Sequence, residues 1–105
     1  METRVYGCDS KEIKQLNAVL TKDPYVKPSF AIQGYKLKDG KMIGGEAGKQ
    51  YLYIRAEPDF FKFAEEQFKA VPSVKRVEKK LEEKLIRTIE EADSAAEAGL
   101  GSIFG

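Results

Sequence analysis

The stretch of this chain that comes closest to a known chemical motif is KMIGGEAGKQ, from Lys41 to Gln50. A phosphate-binding P-loop has the pattern G-x-x-x-x-G-K followed by Ser or Thr, and it lies between a strand and a helix. Gly48 and Lys49 fit this pattern, but Ile43 replaces the first glycine and Gln50 replaces the hydroxyl residue. We therefore expect a hairpin loop without nucleotide chemistry. A simple anion site made of glycine amides with Lys41 and Lys49 is the alternative.

Cys8 is the second candidate for chemistry. It is the only cysteine, and the sequence contains no histidine. An internal disulfide, a cysteine-based zinc site and a Cys-His nucleophile are therefore excluded. A helix N-terminus close after Cys8 would lower the pKa of the thiol, whereas the neighbouring Asp9 opposes this. We expect Cys8 to be a small buried hydrophobic residue, with a thiol enzyme or sensor as an alternative. The paired glutamates of the helices are adjacent in sequence and face different directions, so we expect no catalytic residue, metal ligand or cofactor.

Tyrosines supply a third candidate surface. In the segment KQYLYIRA, strand alternation places Tyr51, Tyr53 and Arg55 on one face, and Leu52 and Ile54 on the other. Tyr6 on the first strand points away from Val5. If the first and third strands are neighbours, we expect the three tyrosines to share one face of the sheet.

This arrangement resembles the RNA-recognition motif, in which aromatic residues on the first and third strands stack the bases of single-stranded RNA. KQYLYIRA keeps the basic residue, the two spaced aromatic residues and the aliphatic residue of the third-strand motif. It lacks the glycine, has Leu52 in place of a small residue, and ends in Ala56 in place of an aromatic residue. The resemblance implies base stacking on the tyrosines beside Arg55. The lysines that would contact phosphates are Lys36, Lys38, Lys41 and Lys49.

Hydrophobic periodicity predicts the elements that position these residues. TRVYGC is a strand, and a helix follows in which Asp9 and Glu12 form a capping box ahead of Ile13, Leu16 and Leu20. The second strand lies in SFAIQGYKLKDG, where the apolar positions change phase at Gly34. A β-bulge explains that change, and without a bulge Tyr35 joins the opposite face. A long connection from Lys38 to Lys49 leads to the third strand, and a second helix begins after Pro58.

The remaining segments complete a β-α-β-β-α-β order with a C-terminal helix. SVKRVE is predicted to be a charged edge strand, because a helix beginning near Lys80 places Glu82 and Glu83 in its first turn, where acidic residues are favourable. The alternative is that residues 73–79 are helical and belong to one long helix that runs to Gly99. With the edge strand, the order is the two-layer ferredoxin-like plan, an α+β fold with two helices on one face of the sheet. We expect a single domain, 1–105, divided into an α+β core at 1–79, a helix at 80–98 and a flexible tail at 99–105.

The C-terminal helix carries an apolar stripe, Leu81, Leu85, Ile89 and Ala92, which must be buried. It can lie across the tyrosine face of the sheet, or it can pair with its copy in a second subunit. In the second case the basic first half of one helix would meet the acidic second half of an antiparallel partner. Either arrangement is favoured over base stacking. With 18 basic and 17 acidic residues the chain has almost no net positive charge, whereas proteins that bind nucleic acids usually have a basic surface.

Composition bounds the remaining possibilities. At 105 residues, with 42% hydrophobic and 33% charged residues, the chain has the size and apolar content of one globular domain. There is no apolar run that predicts a membrane span or a secretion signal, so we expect a cytoplasmic protein. Abundant Lys and Glu resemble the composition of thermophilic proteins. We expect a non-catalytic binding or assembly module that self-associates through the C-terminal helix, as a homodimer or with a protein partner.

Overall fold

The computed structural model of the protein describes residues 1–22, 25 and 28–104, and the side chains of the last helix as far as Asp93. This part of the chain forms a small α+β domain with one four-stranded antiparallel sheet and five α-helices. The strands are β1 (Glu2–Asp9), β2 (Lys36–Asp39), β3 (Lys49–Ala56) and β4 (Lys75–Arg76), and their order in the sheet is β2-β3-β1-β4. The helices are α1 (Ile13–Leu20), α2 (Phe30–Gln33), α3 (Gly40–Ile43), α4 (Pro58–Phe68) and α5 (Lys79–Phe104). No helix among the described residues has both the length and the apolar character that a bilayer-spanning helix needs.

The central strands β1 and β3 pair along their whole lengths, from Glu2 opposite Ala56 to Asp9 opposite Lys49. Directly opposite residues of an antiparallel pair point to the same face of a sheet. The register places Val5 opposite Tyr53 and Tyr6 opposite Leu52. The faces of the sheet are therefore set by this long-range pairing.

One face of the sheet packs against α1 and α4. Leu16 and Leu20 on α1 and Phe61 and Ala64 on α4 are at most 1% exposed, as expected for apolar residues spaced three or four apart on a helix. Five aromatic rings extend this core, with successive centroids 4.8–5.7 Å apart: Tyr6, Phe30, Phe60, Phe63 and Phe68. Such spacings favour tilted and edge-to-face contacts between rings.

The other face is covered by α5, so the layers are helix, sheet and helix. Leu85 and Ile89 pack against Tyr51 and Tyr53, and their side chains have no exposed surface. Of the two arrangements that the sequence allows for this helix, the structure has the one in which it lies across its own sheet. Because both faces are covered, Tyr51 to Ile54 are all buried.

The second strand is shorter than predicted. Phe30 and Ile32 belong to helix α2, because the Ser29 hydroxyl accepts a hydrogen bond from the Ile32 N–H at 3.2 Å and caps the turn. Gly34 ends this helix with φ of +85°, a conformation that favours glycine. The change in the spacing of apolar residues at Gly34 therefore marks the end of a helix, and the strand begins at Lys36.

The capping box predicted before α1 is absent. A 3-10 turn, Ser10–Glu12, precedes this helix, and the Asp9 side chain makes no capping hydrogen bond. Glu12 instead accepts a hydrogen bond from the backbone N–H of Ser73 at 3.1 Å. The carboxylate thus fixes the chain where it approaches β4, a contact that local sequence spacing cannot show.

The edge strand and the last helix begin close to their predicted positions. Within SVKRVE, Lys75 and Arg76 pair with β1, and α5 begins at Lys79. The bounds of α5 include residues 99–104, which the sequence analysis assigns to a tail. The side chains of that tail lie outside the described part of the structure.

Glu82 joins α5 to the edge of the sheet. The register of β1 and β4 makes Val5 and Val77 the next pair, and Val77 N–H donates to the Val5 carbonyl at 3.1 Å. The reciprocal bond goes to a side chain, because Val5 N–H donates to the Glu82 carboxylate at 3.0 Å. Arg76 donates to the same carboxylate through Nε and Nη2, both at 2.9 Å. Glu82 is only 6% exposed, so these donors offset the cost of burying its charge.

We predict that Glu82→Gln lowers the free energy of unfolding by about 1–3 kcal/mol at neutral pH, because Arg76 and the Val5 N–H lose their charged acceptor. Urea denaturation followed by circular dichroism measures the difference. The exposed neighbour supplies a matched control, since Glu83→Gln is expected to change stability by less than about 0.5 kcal/mol. Equal effects of the two substitutions would contradict the anchoring role of Glu82.

The same pair of proteins tests the pH dependence. Burial opposes ionisation of Glu82, but the hydrogen bonds from Arg76 and Val5 outweigh it and hold the pKa below the ordinary value of 4.5. A carboxyl with a lowered pKa in the folded state stabilises the fold above its ordinary pKa, and this contribution is lost as the pH falls through the folded-state value. The advantage of the wild type over Glu82→Gln should therefore shrink below pH 4.5. If the stability difference between the wild type and Glu82→Gln stayed the same below pH 4.5, the lowered pKa of Glu82 would be contradicted.

Candidate functional site

The tyrosines of β3 are not an open surface. Tyr51 is 1% exposed and Tyr53 is 6% exposed, and both lie beneath α5. The Tyr53 hydroxyl donates to Glu90 at 2.6 Å, and burial together with this carboxylate raises the pKa of Tyr53 to about 12. Lys36 lies over the Tyr53 ring, with its Nζ 5.4 Å from the centroid. Base stacking on Tyr51 or Tyr53 would require α5 to leave the sheet.

Tyr6 lies on the opposite face from Tyr51 and Tyr53, contrary to the expectation that the three share one. Because Tyr6 is opposite Leu52, it packs on the α4 side, with its ring centroid 4.8 Å from that of Phe68. Arg55 is exposed. The structure therefore does not bring the four residues together as one aromatic and basic platform.

The glycine-rich stretch packs around the ring of Tyr51. A Cβ atom on Gly45 would lie 2.4 Å from Cε2 of Tyr51, and a Cβ on Gly40 would lie 2.9 Å from the same atom. These glycines allow the loop to approach the ring closely. Three amides of the loop have protein acceptors: Gly44 and Gly45 donate to the Gly40 carbonyl, and Glu46 donates to the Tyr51 hydroxyl. These three amides are not free to bind an anion.

The two lysines of the predicted anion site have separate surroundings. Lys49 forms an ion pair with Glu46 at 3.3 Å, whereas Lys41 lies exposed on α3. Lys36 and Lys38 on β2 both reach Asp93 on α5. Most of the lysines that the RNA-like interpretation assigns to phosphates thus have carboxylate partners.

Cys8 is enclosed at the end of β1. It is 2% exposed, with Sγ 3.6 Å from the Ser73 hydroxyl and 3.3 Å from the Asp9 carbonyl. Burial raises the pKa of the Cys8 thiol, although the contact with Ser73 acts in the opposite direction. A thiol with a raised pKa and little exposure is poorly suited to nucleophilic chemistry.

The four residues proposed for self-association differ in exposure. Leu85 and Ile89 are fully buried against the sheet, Leu81 is half-buried, and Ala92 is exposed. The apolar stripe is therefore largely occupied within the molecule. A second copy would meet the outer face of α5.

A cleft beside Tyr6 is a candidate site that the sequence analysis missed. It has a volume of about 450 Å³ and lies between the end of α4 and β4. Its apolar wall consists of Phe68, Val71, Pro72, Val74 and the Tyr6 ring, and its polar lining consists of Glu65, Lys69, Lys75 and Arg76. An apolar wall with a few convergent polar groups is typical of small-molecule sites.

The polar groups at the back of the cleft form a hydrogen-bonded network. Glu65 accepts from the Tyr6 hydroxyl at 3.1 Å and from Nη1 of Arg4 at 2.5 Å. Arg4 also lies over the Phe61 ring, 4.6 Å from its centroid. Burial is the main reason that the pKa of Tyr6 rises to about 12, and Glu65 adds to the rise. The Tyr6 hydroxyl therefore stays protonated at neutral pH and acts as a donor.

Arg76 forms the edge of the cleft. It lies directly opposite Tyr6 in the β1–β4 register. The hydrogen bonds to Glu82 hold its guanidinium in place and raise the pKa of Arg76, so the group stays charged. Because Tyr6, Glu65 and Arg76 are far apart in sequence, only the strand alternation of β1 and the helical face of α4 offer any sequence indication of the site.

Comparisons of the chain with protein-family models, with curated proteins and with solved structures found no match.

We predict that Gly45→Ala lowers the free energy of unfolding by about 1–3 kcal/mol, because the added Cβ overlaps the buried Tyr51 ring. Thermal or urea denaturation measures the change. Ala47→Ser in the same loop is the control, since Ala47 is exposed. If Gly45→Ala proved as stable as the control, the loop would not be packed on Tyr51 in the way described, and a freer loop would again be available for an anion.

Proposed function

We propose that the protein is a non-catalytic binding module and that the cleft beside Tyr6 is its binding site. The observation that carries this proposal is the combination, in one cleft of about 450 Å³, of an apolar wall with the Tyr6, Glu65 and Arg76 side chains. This volume falls within the range of about 300–1,000 Å³ that is usual for ligand pockets.

The protonation states of the cleft residues support binding over catalysis. A general acid or base works best with a pKa near the working pH. Tyr6 has a pKa of about 12, and the pKa values of Arg4 and Arg76 are raised above their ordinary range. The sequence has no histidine to supply a group that titrates near neutrality. Arg76 is suited to donate hydrogen bonds, and the Tyr6 hydroxyl, whose proton goes to Glu65, is suited to accept one, without exchange of protons.

Preorganisation of the cleft also supports the proposal. The Tyr6 ring is held against Phe68 and its hydroxyl is held by Glu65, while Arg76 is held by the buried Glu82. A site whose polar groups are fixed before binding loses less conformational entropy when a ligand binds. The cleft would therefore bind without a large rearrangement.

A panel of small aromatic and branched aliphatic compounds, comprising anionic, neutral and cationic members, tests this proposal. We expect the compounds that bind to shift the backbone amide resonances of Tyr6, Lys69 and Val71, which line this cleft. A second cleft of about 480 Å³ serves as the internal comparison, because a compound that binds there would shift the resonances of that cleft instead. It is lined by Pro28, Ser29, Ile32, Gln33 and Phe60.

Two filling variants give matched controls. We expect Val74→Phe to weaken binding at least about tenfold by occupying the Tyr6 cleft, and Ile32→Phe to leave binding unchanged. Urea denaturation checks that both variants are folded. Resonance shifts confined to the second cleft, or no shifts with any compound, would refute the proposal.

Self-association through the outer face of α5 is a second candidate function. The exposed cations Lys79, Lys80, Lys84 and Arg87 precede the exposed acids Glu90 and Glu91 along the helix. Two such helices in antiparallel contact would place opposite charges together. In the described part of the chain, none of these four cations has a carboxylate partner within 4.0 Å.

Sedimentation velocity over about a hundredfold range of protein concentration tests this second function, since association responds to concentration. We expect a dimer at the higher concentration, and we expect Lys84→Glu to weaken this dimer. Lys14→Glu makes the same charge change at an exposed position of α1 and should leave the dimer intact. A monomer throughout, or equal effects of the two variants, would remove the candidate.

We further propose a ferredoxin-like arrangement for this sheet and a cytoplasmic location. The first is supported by the central position of β1 and β3 and by the position of α1 and α4 on one face. The second is supported by the single free cysteine, which is typical of proteins in a reducing compartment.

A further inference from the structure

We infer that the ligand of the Tyr6 cleft is a small organic monoanion, a carboxylate attached to a compact apolar body. This inference rests on the proposed function and adds the chemical class of the ligand. It follows from two independent properties of the cleft, its apolar wall and its charge balance.

The apolar wall determines the body of the ligand. Phe68 and Val71 are buried at the base of the cleft, and Val74 is partly buried beside them. Pro72, also in the lining, is exposed, so Val74 and Pro72 offer most of the surface on which an aromatic ring or branched alkyl group would lose its contact with water. A wholly polar ligand would leave this surface without partners.

The balance of charged side chains in the cleft determines the charge of the ligand's polar group. Four charged residues line the cleft, and three already have partners: Glu65 is paired with Arg4, Lys69 with Glu66 and Arg76 with Glu82. Lys75 has no carboxylate within 4.0 Å among the described residues. One positive charge therefore remains uncompensated, which favours a ligand with a single negative charge over a neutral, cationic or doubly charged one.

The edge of the sheet positions this polar group. A guanidinium has five N–H donors, and Glu82 takes two from Arg76, which leaves three. Lys75 precedes Arg76 and lies opposite Gly7, so its side chain leaves this edge strand on the α5 side, and the residue lines both this cleft and a smaller hollow of about 190 Å³. A carboxylate at this edge can accept from Arg76 and, across the edge, from Lys75, while its apolar body lies against Pro72 and Val74.

Three probes of nearly identical shape test the inference: naphthoate, naphthamide and naphthamidine, which are anionic, neutral and cationic at neutral pH. Dissociation constants come from titrations that follow the Tyr6, Lys69 and Val71 amide resonances. We expect naphthoate to bind about threefold to tenfold more tightly than naphthamide, and naphthamidine to bind most weakly. Added salt should reduce the preference for naphthoate.

A charge variant isolates the role of Lys75. We expect Lys75→Gln to reduce the affinity for naphthoate to that for naphthamide, and to leave naphthamide binding unchanged. Lys80→Gln removes an exposed lysine outside the cleft and should change neither the affinity for naphthoate nor that for naphthamide. Equal binding of naphthoate and naphthamide in the cleft, or tighter binding of naphthamidine, would overturn the monoanion while the binding module stands. If none of the three probes shifts the cleft resonances, the proposed function fails as well.

Discussion

The fold depends on one buried carboxylate at the junction of three elements. In a regular ladder, Val5 would exchange two backbone hydrogen bonds with Val77, but the chain leaves the sheet at that point to begin α5. Glu82 replaces the missing acceptor and binds the Arg76 guanidinium at the same time. Because the helix itself supplies this acceptor, its first turn is fixed to the sheet edge. Leu85 and Ile89, which come next along α5, then pack against Tyr51 and Tyr53.

This attachment determines which surfaces are open. Burial of Leu85 and Ile89 contributes about 1.5–3 kcal/mol each relative to exposure, so an uncovered aromatic face would be costly to maintain. With α5 in place, the sheet has a helical layer on both sides, and its β4 edge borders a cleft beside α4 and a smaller hollow beside α5. The Arg76 side chain that Glu82 holds is also the edge of the larger hollow. The residue that closes one face of the sheet thus helps to shape the cleft beside the other.

The sequence predicts features that depend on one element and misses those that depend on register. Alternation within β3 correctly separates Tyr51 and Tyr53 from Leu52 and Ile54. It cannot place Tyr6 relative to them, because that depends on the pairing of β1 with β3. The apolar spacing of Phe30 and Ile32 suits both a strand and a short helix, and the Ser29 cap selects the helix. The cleft combines Tyr6, Glu65 and Arg76 from three elements, so the spacing within one element cannot show that they meet.

The most direct test of this account is the set of nuclear Overhauser contacts between the Leu85 and Ile89 methyl groups and the Tyr51 and Tyr53 ring protons. Isotope-filtered experiments on mixed labelled and unlabelled protein separate contacts within one molecule from contacts between two. The account predicts strong contacts within one molecule and none between molecules. Contacts between molecules, or methyl groups without any tyrosine neighbour, would contradict it.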